Sequence, residues 1–118
     1  MCLALTVYEE ARGESLVGPE AVAMAVLNRA HQAHQPVCQV VFAPGQFSWT
    51  KKFHSKVNTS SKSWKRSEMV AKRVQTMPEF TNGATSFHSV HVNPKWAAHL
   101  HRTGTWGHQH FYRKPKRI

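Results

Sequence analysis

Two adjoining stretches decide the fold: Ala4-Leu5-Thr6-Val7-Tyr8-Glu9-Glu10-Ala11-Arg12-Gly13-Glu14-Ser15 and Gly18-Pro19-Glu20-Ala21-Val22-Ala23-Met24-Ala25-Val26-Leu27-Asn28-Arg29-Ala30. Over residues 2–12, Leu3, Ala4, Val7, Tyr8 and Ala11 recur at the spacing of one helix face, and Gly13 is a stop. Gly18, Pro19 and Glu20 make a helix start, since proline is tolerated in the first turn and a carboxylate suits the positive end of the helix dipole. From Ala21 to Leu27 the chain is apolar on every side, the mark of a buried central helix. Asn28, Arg29 and the polar run to Gln35 are expected to end it before Pro36.

Working outward, Val37–Phe42 reads as one or two helical turns, and Pro44-Gly45 punctuates it. Gln46–Thr50 follows as loop. Lys51–Lys62 is basic and polar, and Ser63 is a cap for a third long helix running through Met77, with Val70, Val74 and Met77 on one stripe before Pro78. Asn82-Gly83 is a turn signal, and Ala84–Val92 is rich in strand formers. Asn93-Pro94 turns into a short helix-like Trp96–Arg102, Gly107–Arg113 reads as a last strand, and a basic tail closes the chain. Helices first and a small β element later predict an α+β class, as a single domain over residues 1–118.

Composition narrows the chemistry. Sixteen Lys and Arg stand against six acids, giving a formal charge of +10. All six acids are glutamates, at positions 9, 10, 14, 20, 68 and 79, and there is no aspartate. Ser-His-Asp triads, Asp-based phosphoryl transfer and EF-hand loops are therefore excluded. Cys2 and Cys38 read as free thiols, with one bridge as the alternative. The N-terminus lacks the basic and long apolar segments of a secretory leader, and no run reaches the length of a membrane span. Synthesis in a cytoplasm is expected, with something else carrying or releasing the protein if it acts outside.

Three of the glutamates crowd into the first stretch. On a helical wheel the apolar face centres near Ala4 and Ala11. Glu9 points away from it, Glu10 lies at its border, and Glu14 falls inside it if the helix lasts that far. A border carboxylate is partly desolvated, which raises its pKa and suits it to act as a general acid. Arg12 is near enough to pair with one of the carboxylates. The plainer alternative is a surface i, i+4 pair of Glu10 and Glu14 with Arg12 as counter-ion. Glu20, Glu68 and Glu79 sit at a helix start, on a charged face and after a proline, where structural roles are expected.

The same stretches resemble the spore-cortex-lytic type of cell wall hydrolases, which carry a tyrosine-containing helix ending in E-A-R-G-E-S and then a small-residue helix ending in L-N-R. Val37–Phe42 is similar to that family's V-C-x-V-V segment, Gln46-Phe47-Ser48-Trp49 to its Q-F-S-W, and Gly83–His88 to its G-A-x-x-F-H strand. Pro94-Lys95-Trp96 and Gly107–Arg113 resemble its P-x-W and its closing G-x-H-x-F-Y-R. Seven blocks in order cover nearly the whole chain, with only loose similarity over Lys51–Met77.

The resemblance implies a lysozyme-like α+β domain, related to goose-type lysozymes and lytic transglycosylases. The implied substrate is the peptidoglycan glycan strand, cut between N-acetylmuramic acid and N-acetylglucosamine by a muramidase or a lytic transglycosylase. Glu10 maps onto the family's catalytic acid and Glu14 onto the second glutamate, in a supporting role with Arg12. A second catalytic carboxylate is not evident. One acid suffices where the substrate's own N-acetyl or C6 hydroxyl group completes the reaction. The missing leader, anchor and wall-binding module suggest a phage endolysin, with a bacteriolytic outcome.

Sugar rings stack on aromatic platforms flanked by hydrogen-bonding groups. Gln46, Ser48 and Trp49 offer that combination, as do His110 and Tyr112, which share a strand face. Phe47, Phe87, Phe111 and Trp96 are expected in the core. Of nine histidines, His88 and His110 fall in the family-matching blocks and are expected as hydrogen-bonding groups near the site. The three close pairs (His88/His91, His99/His101, His108/His110) also permit a zinc-dependent amidase or nuclease, but the ligand set is irregular and H-E-x-x-H is absent. No metal and no cofactor are expected. Bases concentrate in Lys51–Arg73 and in Arg113–Arg117, a pattern that on charge alone points to a nucleic-acid-binding domain. Charge together with the seven blocks points instead to an anionic bacterial envelope, with no nucleic acid, and to a monomer.

Overall fold

The computed structural model describes residues 1–52 and 57–115; Phe53–Lys56 and the tail residues Lys116–Ile118 lie outside the described residues. Helix α1 (Cys2–Ala11) is followed by α2 (Val17–Ala33) and the single turn α3 (Val37–Val41). A 3₁₀ turn at Ser48–Lys52 precedes α4 (Lys62–Val74). Strand β1 (Ser86–Ser89), a second 3₁₀ turn at Lys95–His99, β2 (His101–Trp106) and β3 (Gln109–Arg113) complete the chain. The three strands form one antiparallel sheet in the order β1-β3-β2. This is the expected lysozyme-like α+β arrangement, with the helices and the sheet as its two parts.

Helix α2 is the axis of the core. Ala21, Val22, Ala23, Ala25 and Val26 are at most 2% exposed, because α1, α3, α4 and the sheet all pack around it. Its small side chains let those neighbours approach closely, and each fully buried Val, Leu or Met contributes about 1.5–3 kcal/mol. The helix ends within the polar run Asn28–Gln35, before Pro36, as the sequence predicts. Its last residue is Ala33, after which His34 takes a left-handed cap with φ 54°. The side chains of Asn28 and Arg29 reach sideways: the Asn28 amide donates to the Ala84 carbonyl at 2.9 Å.

The third long helix starts two residues earlier than expected. Ser61, not Ser63, accepts from the Trp64 backbone N–H at 3.1 Å. The register is set by burial, since Trp64, Ser67, Val70, Ala71 and Val74 all face the core, and Trp64 meets Tyr8 of α1 edge-on. Strand β2 is a second correction, because His101 and Arg102 begin a strand rather than end a helix.

Cys2 and Cys38 are joined in a disulfide, with Cα atoms 5.2 Å apart. The bridge ties the first turn of α1 to α3, so the free-thiol expectation gives way to its alternative. The packing of α1 on α3 brings the two cysteines together.

Two turns are built by glutamates. Glu79 accepts from the Thr81 and Gly83 backbone N–H groups at 2.6 and 2.9 Å and from the Thr81 hydroxyl. This holds the left-handed Asn82-Gly83 pair that leads into β1. Burial alone would raise the Glu79 pKa, but these donors outweigh it and the pKa is lowered. Glu14 does the same for the β2–β3 hairpin: its Oε1 accepts from the His108 N–H at 2.9 Å. The carboxylate fits there because Gly18 and Gly107 line its slot. A Cβ on Gly18 would sit 2.5 Å from Glu14 Oε1, and one on Gly107 (φ +60°) would overlap it.

Candidate active site

Glu10 occupies the last turn of α1 and is half-buried, as the wheel places it. Burial is the largest influence on its carboxyl and raises the pKa above the ordinary 4.5, and the neighbouring Glu9 and Glu14 charges push the same way. A hydrogen bond with the Trp49 side chain partly offsets this. The net effect holds a proton on Glu10 to higher pH than on a free carboxyl. Its main chain is fixed as well: the Gln109 side-chain amide donates to the Glu10 carbonyl at 3.1 Å. Glu9 lies beside it on the same helix turn, Glu20 pairs with Arg73 at 3.6 Å, and Glu68 is exposed on α4.

Trp49 links Glu10 to Phe47, hydrogen-bonding the carboxyl and stacking on the ring. It lies in the 3₁₀ turn after α3, half-buried, stacked on Phe47 with centroids 6.1 Å apart and edge-on to Phe42 at 5.9 Å. Phe47 in turn contacts Phe87 of β1 at 5.8 Å. Beyond Phe47 opens a cavity of about 320 Å³ between this segment, α2 and β1, lined by Arg29, Gln46, Phe47, Ser86, Phe87 and Trp96 among others. Arg29 spans it: Nη1 donates to Gln46 Oε1, and Nη2 donates to Ser86 Oγ at 3.2 Å. Ser48 is exposed at the start of the 3₁₀ turn.

His88, His110 and Tyr112 gather separately, on the sheet face away from Phe87 and Phe111. The register pairs His88 with His110 and Ser86 with Tyr112. Tyr112 is only 3% exposed. Its hydroxyl accepts from Arg102 Nη2 at 3.0 Å and lies 2.9 Å from His88 Nε2. His88 Nδ1 lies 2.7 Å from the Ser89 carbonyl. A carbonyl only accepts, so Nδ1 carries the proton there. His110 Nδ1 meets Thr105 Oγ1 at 2.6 Å. Desolvation first, then the charges of Arg102 and His88, lower the His110 pKa, so this imidazole stays neutral more readily. Trp96 covers the cluster, edge-on to His88 and Tyr112 at 5.5 Å each.

The profile of the Cell Wall Hydrolase family matches residues 13–112. The chain belongs to the cell wall hydrolase family. Among solved structures, it is similar to the catalytic domain of the Bacillus cereus SleB protein. The identity is 26%, covering 94% of this chain and 86% of that one, with a TM-score of 0.74. It is also similar to the catalytic domain of the germination-specific lytic transglycosylase SleB from Bacillus anthracis. There the identity is 25%, covering 95% of this chain and 91% of that one, with a TM-score of 0.78. No curated protein sequence matches it.

The family match begins just after Glu10, so the placement of this residue rests on the helix and its surroundings in the hydrolase itself. Several expectations need correction. Arg12 pairs with no carboxylate among the described residues; its guanidinium lies over the Tyr8 ring, 4.5 Å from the centroid. Trp96 is not a core residue but is 40% exposed. Tyr112 presents no open platform, being sealed beneath Trp96 and Arg102. Gln46 lines the cavity beside Phe47 and Trp49 stacks on the same ring, while His88, His110 and Tyr112 form their own cluster. The histidine pairs do not gather into a group of three or more metal-ligating side chains among the described residues.

Sequence reasoning missed Arg29, Gln109 and Arg102. Arg29 stood in the L-N-R block, but its role depends on Gln46 and Ser86, far away in the chain. Gln109 carried only the alternation of β3 as a signal, and Arg102 carried none.

Proposed function

We propose that this cell wall hydrolase cleaves the β-1,4 bond between N-acetylmuramic acid and N-acetylglucosamine of peptidoglycan as a lytic transglycosylase, with Glu10 as both acid and base. The observation that carries the reading is the Glu10 carboxyl, raised in pKa by burial and positioned at a helix end beside Trp49. In the first step Glu10 protonates the glycosidic oxygen and the C1–O bond breaks, leaving a positively charged muramyl ring. In the second the C6 hydroxyl attacks C1, its proton passes to Glu10, and a 1,6-anhydro end forms with the acid regenerated.

Glycosidases that use water or a protein nucleophile place a second carboxylate across the bond. Glu14, Glu20 and Glu79 are committed to His108, to Arg73 and to the Asn82-Gly83 turn, and Glu68 lies on the exposed face of α4. Glu9 is the chain neighbour of Glu10 on α1, on the same side of any bound strand rather than across the bond. That distribution favours attack by the substrate's own hydroxyl. The SleB neighbour named as a lytic transglycosylase supports the same choice.

The net charge of +10 supports a second element of the reading, attraction to the anionic bacterial envelope. Lys62, Lys65, Lys72 and Arg73 are exposed along α4, so binding to cell walls is expected to weaken with salt.

The test is digestion of purified peptidoglycan, with mass spectrometry of the fragments. Anhydro-muramic ends are expected, and Glu10→Gln is expected to slow their release about 10²–10⁴-fold while Glu9→Gln does not. Reducing muramic ends, or a Glu10→Gln protein as fast as wild type, overturns the proposal.

A further inference from the structure

A guanidinium carries five N–H donors and no acceptor. The amide of Gln46, facing Arg29, must therefore turn its carbonyl oxygen toward the arginine, and this is the contact present. The other half of the amide, the NH₂ group, is then directed away from Arg29. The second hydrogen bond of Arg29, to Ser86 Oγ, anchors the guanidinium on the sheet, and the fork geometry leaves it little freedom to turn. Gln46 is thus held as a donor, although a glutamine in general offers both a donor and an acceptor. Both residues line the same cavity of about 320 Å³. Its remaining walls include the apolar rings of Phe47 and Phe87 and the partly exposed Trp96. A ligand that fits presents a carbonyl acceptor next to a small apolar group and a ring with C–H faces.

We infer that Arg29 is a positioning residue that fixes Gln46 as an N–H donor, and that the cavity they line is a subsite for the acetamido group of an N-acetylated sugar. The acetamido carbonyl accepts from Gln46 Nε2, and its methyl group packs against the Phe47 and Phe87 rings. The inference rests on the glycan-strand reading above and adds to it the selection of N-acetylated over free-amine sugars. A free amine is protonated at neutral pH and offers only donors, so it meets the Gln46 donor with like polarity beside the Arg29 charge.

The experiment compares kinetics on intact peptidoglycan and on the same material after de-N-acetylation. Wild type is expected to show a KM about tenfold lower on the acetylated strands, the size of one well-formed hydrogen bond. Gln46→Glu keeps an oxygen toward Arg29 and removes the donor. It is expected to act on KM far more than on kcat, and to shrink the preference to about threefold or less. Arg29→Lys, whose ammonium is also donor-only, is expected to keep the preference; Arg29→Met, which frees the amide to rotate, is expected to lose most of it. A role confined to stability would lower the melting temperature of these variants without moving the preference, and that result overturns the inference. An equal preference in Gln46→Glu and wild type also overturns it. If wild type releases no muropeptides from either material, the glycan-strand reading falls and the inference falls with it.

Discussion

The disulfide is the covalent link between the helix that bears Glu10 and the segment that bears Trp49. Cys2 lies in the first turn of α1, and Cys38 lies in α3, which leads directly into Gln46–Trp49. Breaking the bridge, by reduction or as Cys2→Ala with Cys38→Ser, releases a loop of 36 residues in the unfolded chain. The chain-entropy relation for a loop of that length gives about 4 kcal/mol of lost stability. For a domain of this size the total is about 5–15 kcal/mol, so the bridge accounts for a quarter or more of it. Alanine suits position 2, where the side chain is buried, and serine suits the exposed position 38. The assay is urea unfolding followed by tryptophan fluorescence, on oxidised wild type, reduced wild type and the double variant. With a slope of about 1.5–2 kcal/mol per molar, the midpoint is expected to fall by roughly 2–2.5 M on reduction. The double variant should match the reduced protein and ignore the reductant. A midpoint that moves by less than about 0.5 M would refute the reasoning, since α1 and α3 would then hold together without the bridge.

Three further substitutions test Glu10 and the Glu14–Gly107 contact. The Glu10 carboxyl has a raised pKa in the folded chain, because burial outweighs the Trp49 hydrogen bond, with Glu9 and Glu14 adding to it. A raised folded-state pKa means that Glu10's contribution is fully present below the unfolded value of about 4.5 and is lost as pH rises through the folded value. Glu10→Gln should therefore melt higher than wild type at neutral pH, with the gap closing at acid pH; a constant gap would contradict this. Gly107→Ala combines a left-handed backbone with an overlap on Glu14 Oε1 and should cost about 2–3 kcal/mol in urea unfolding. Glu14→Ala should cost about 1.5–3 kcal/mol by stripping the His108 N–H of its charged acceptor. The double variant should cost less than the sum, because the overlap disappears with the carboxylate.

What could be read in advance divides along the range of the forces involved. Helices α1 and α2, the turn α3 and the Asn82-Gly83 turn announce themselves through periodicity, caps and turn residues, all of which act within a few positions. Glu10 belongs with them: the wheel that marks the face of α1 also places this carboxyl at its border, and the resemblance points to the same residue. Strand β2 does not, because its exposed face and the irregular pairing between Arg102 and Gly104 blur the alternation that reveals a strand. Ser61 and Ser63 are equivalent as local caps, and only the burial of Trp64, Val70 and Val74 chooses between them. The pairing of Cys2 with Cys38 and the reach of Arg29 to Gln46 and Ser86 exist only once α1, α3 and the sheet have packed around α2. Arg12 shows the same limit from the other side. Sequence proximity suggested an ion pair, yet the Tyr8 ring lies one helical turn back and the guanidinium settles there. The proposed catalytic group was therefore legible as an acid at a desolvated border, whereas the residues proposed to select its substrate depend on the tertiary fold. Selectivity in this hydrolase is accordingly expected to change through Arg29, Gln46 and the 42–50 segment more readily than through the helix that carries Glu10.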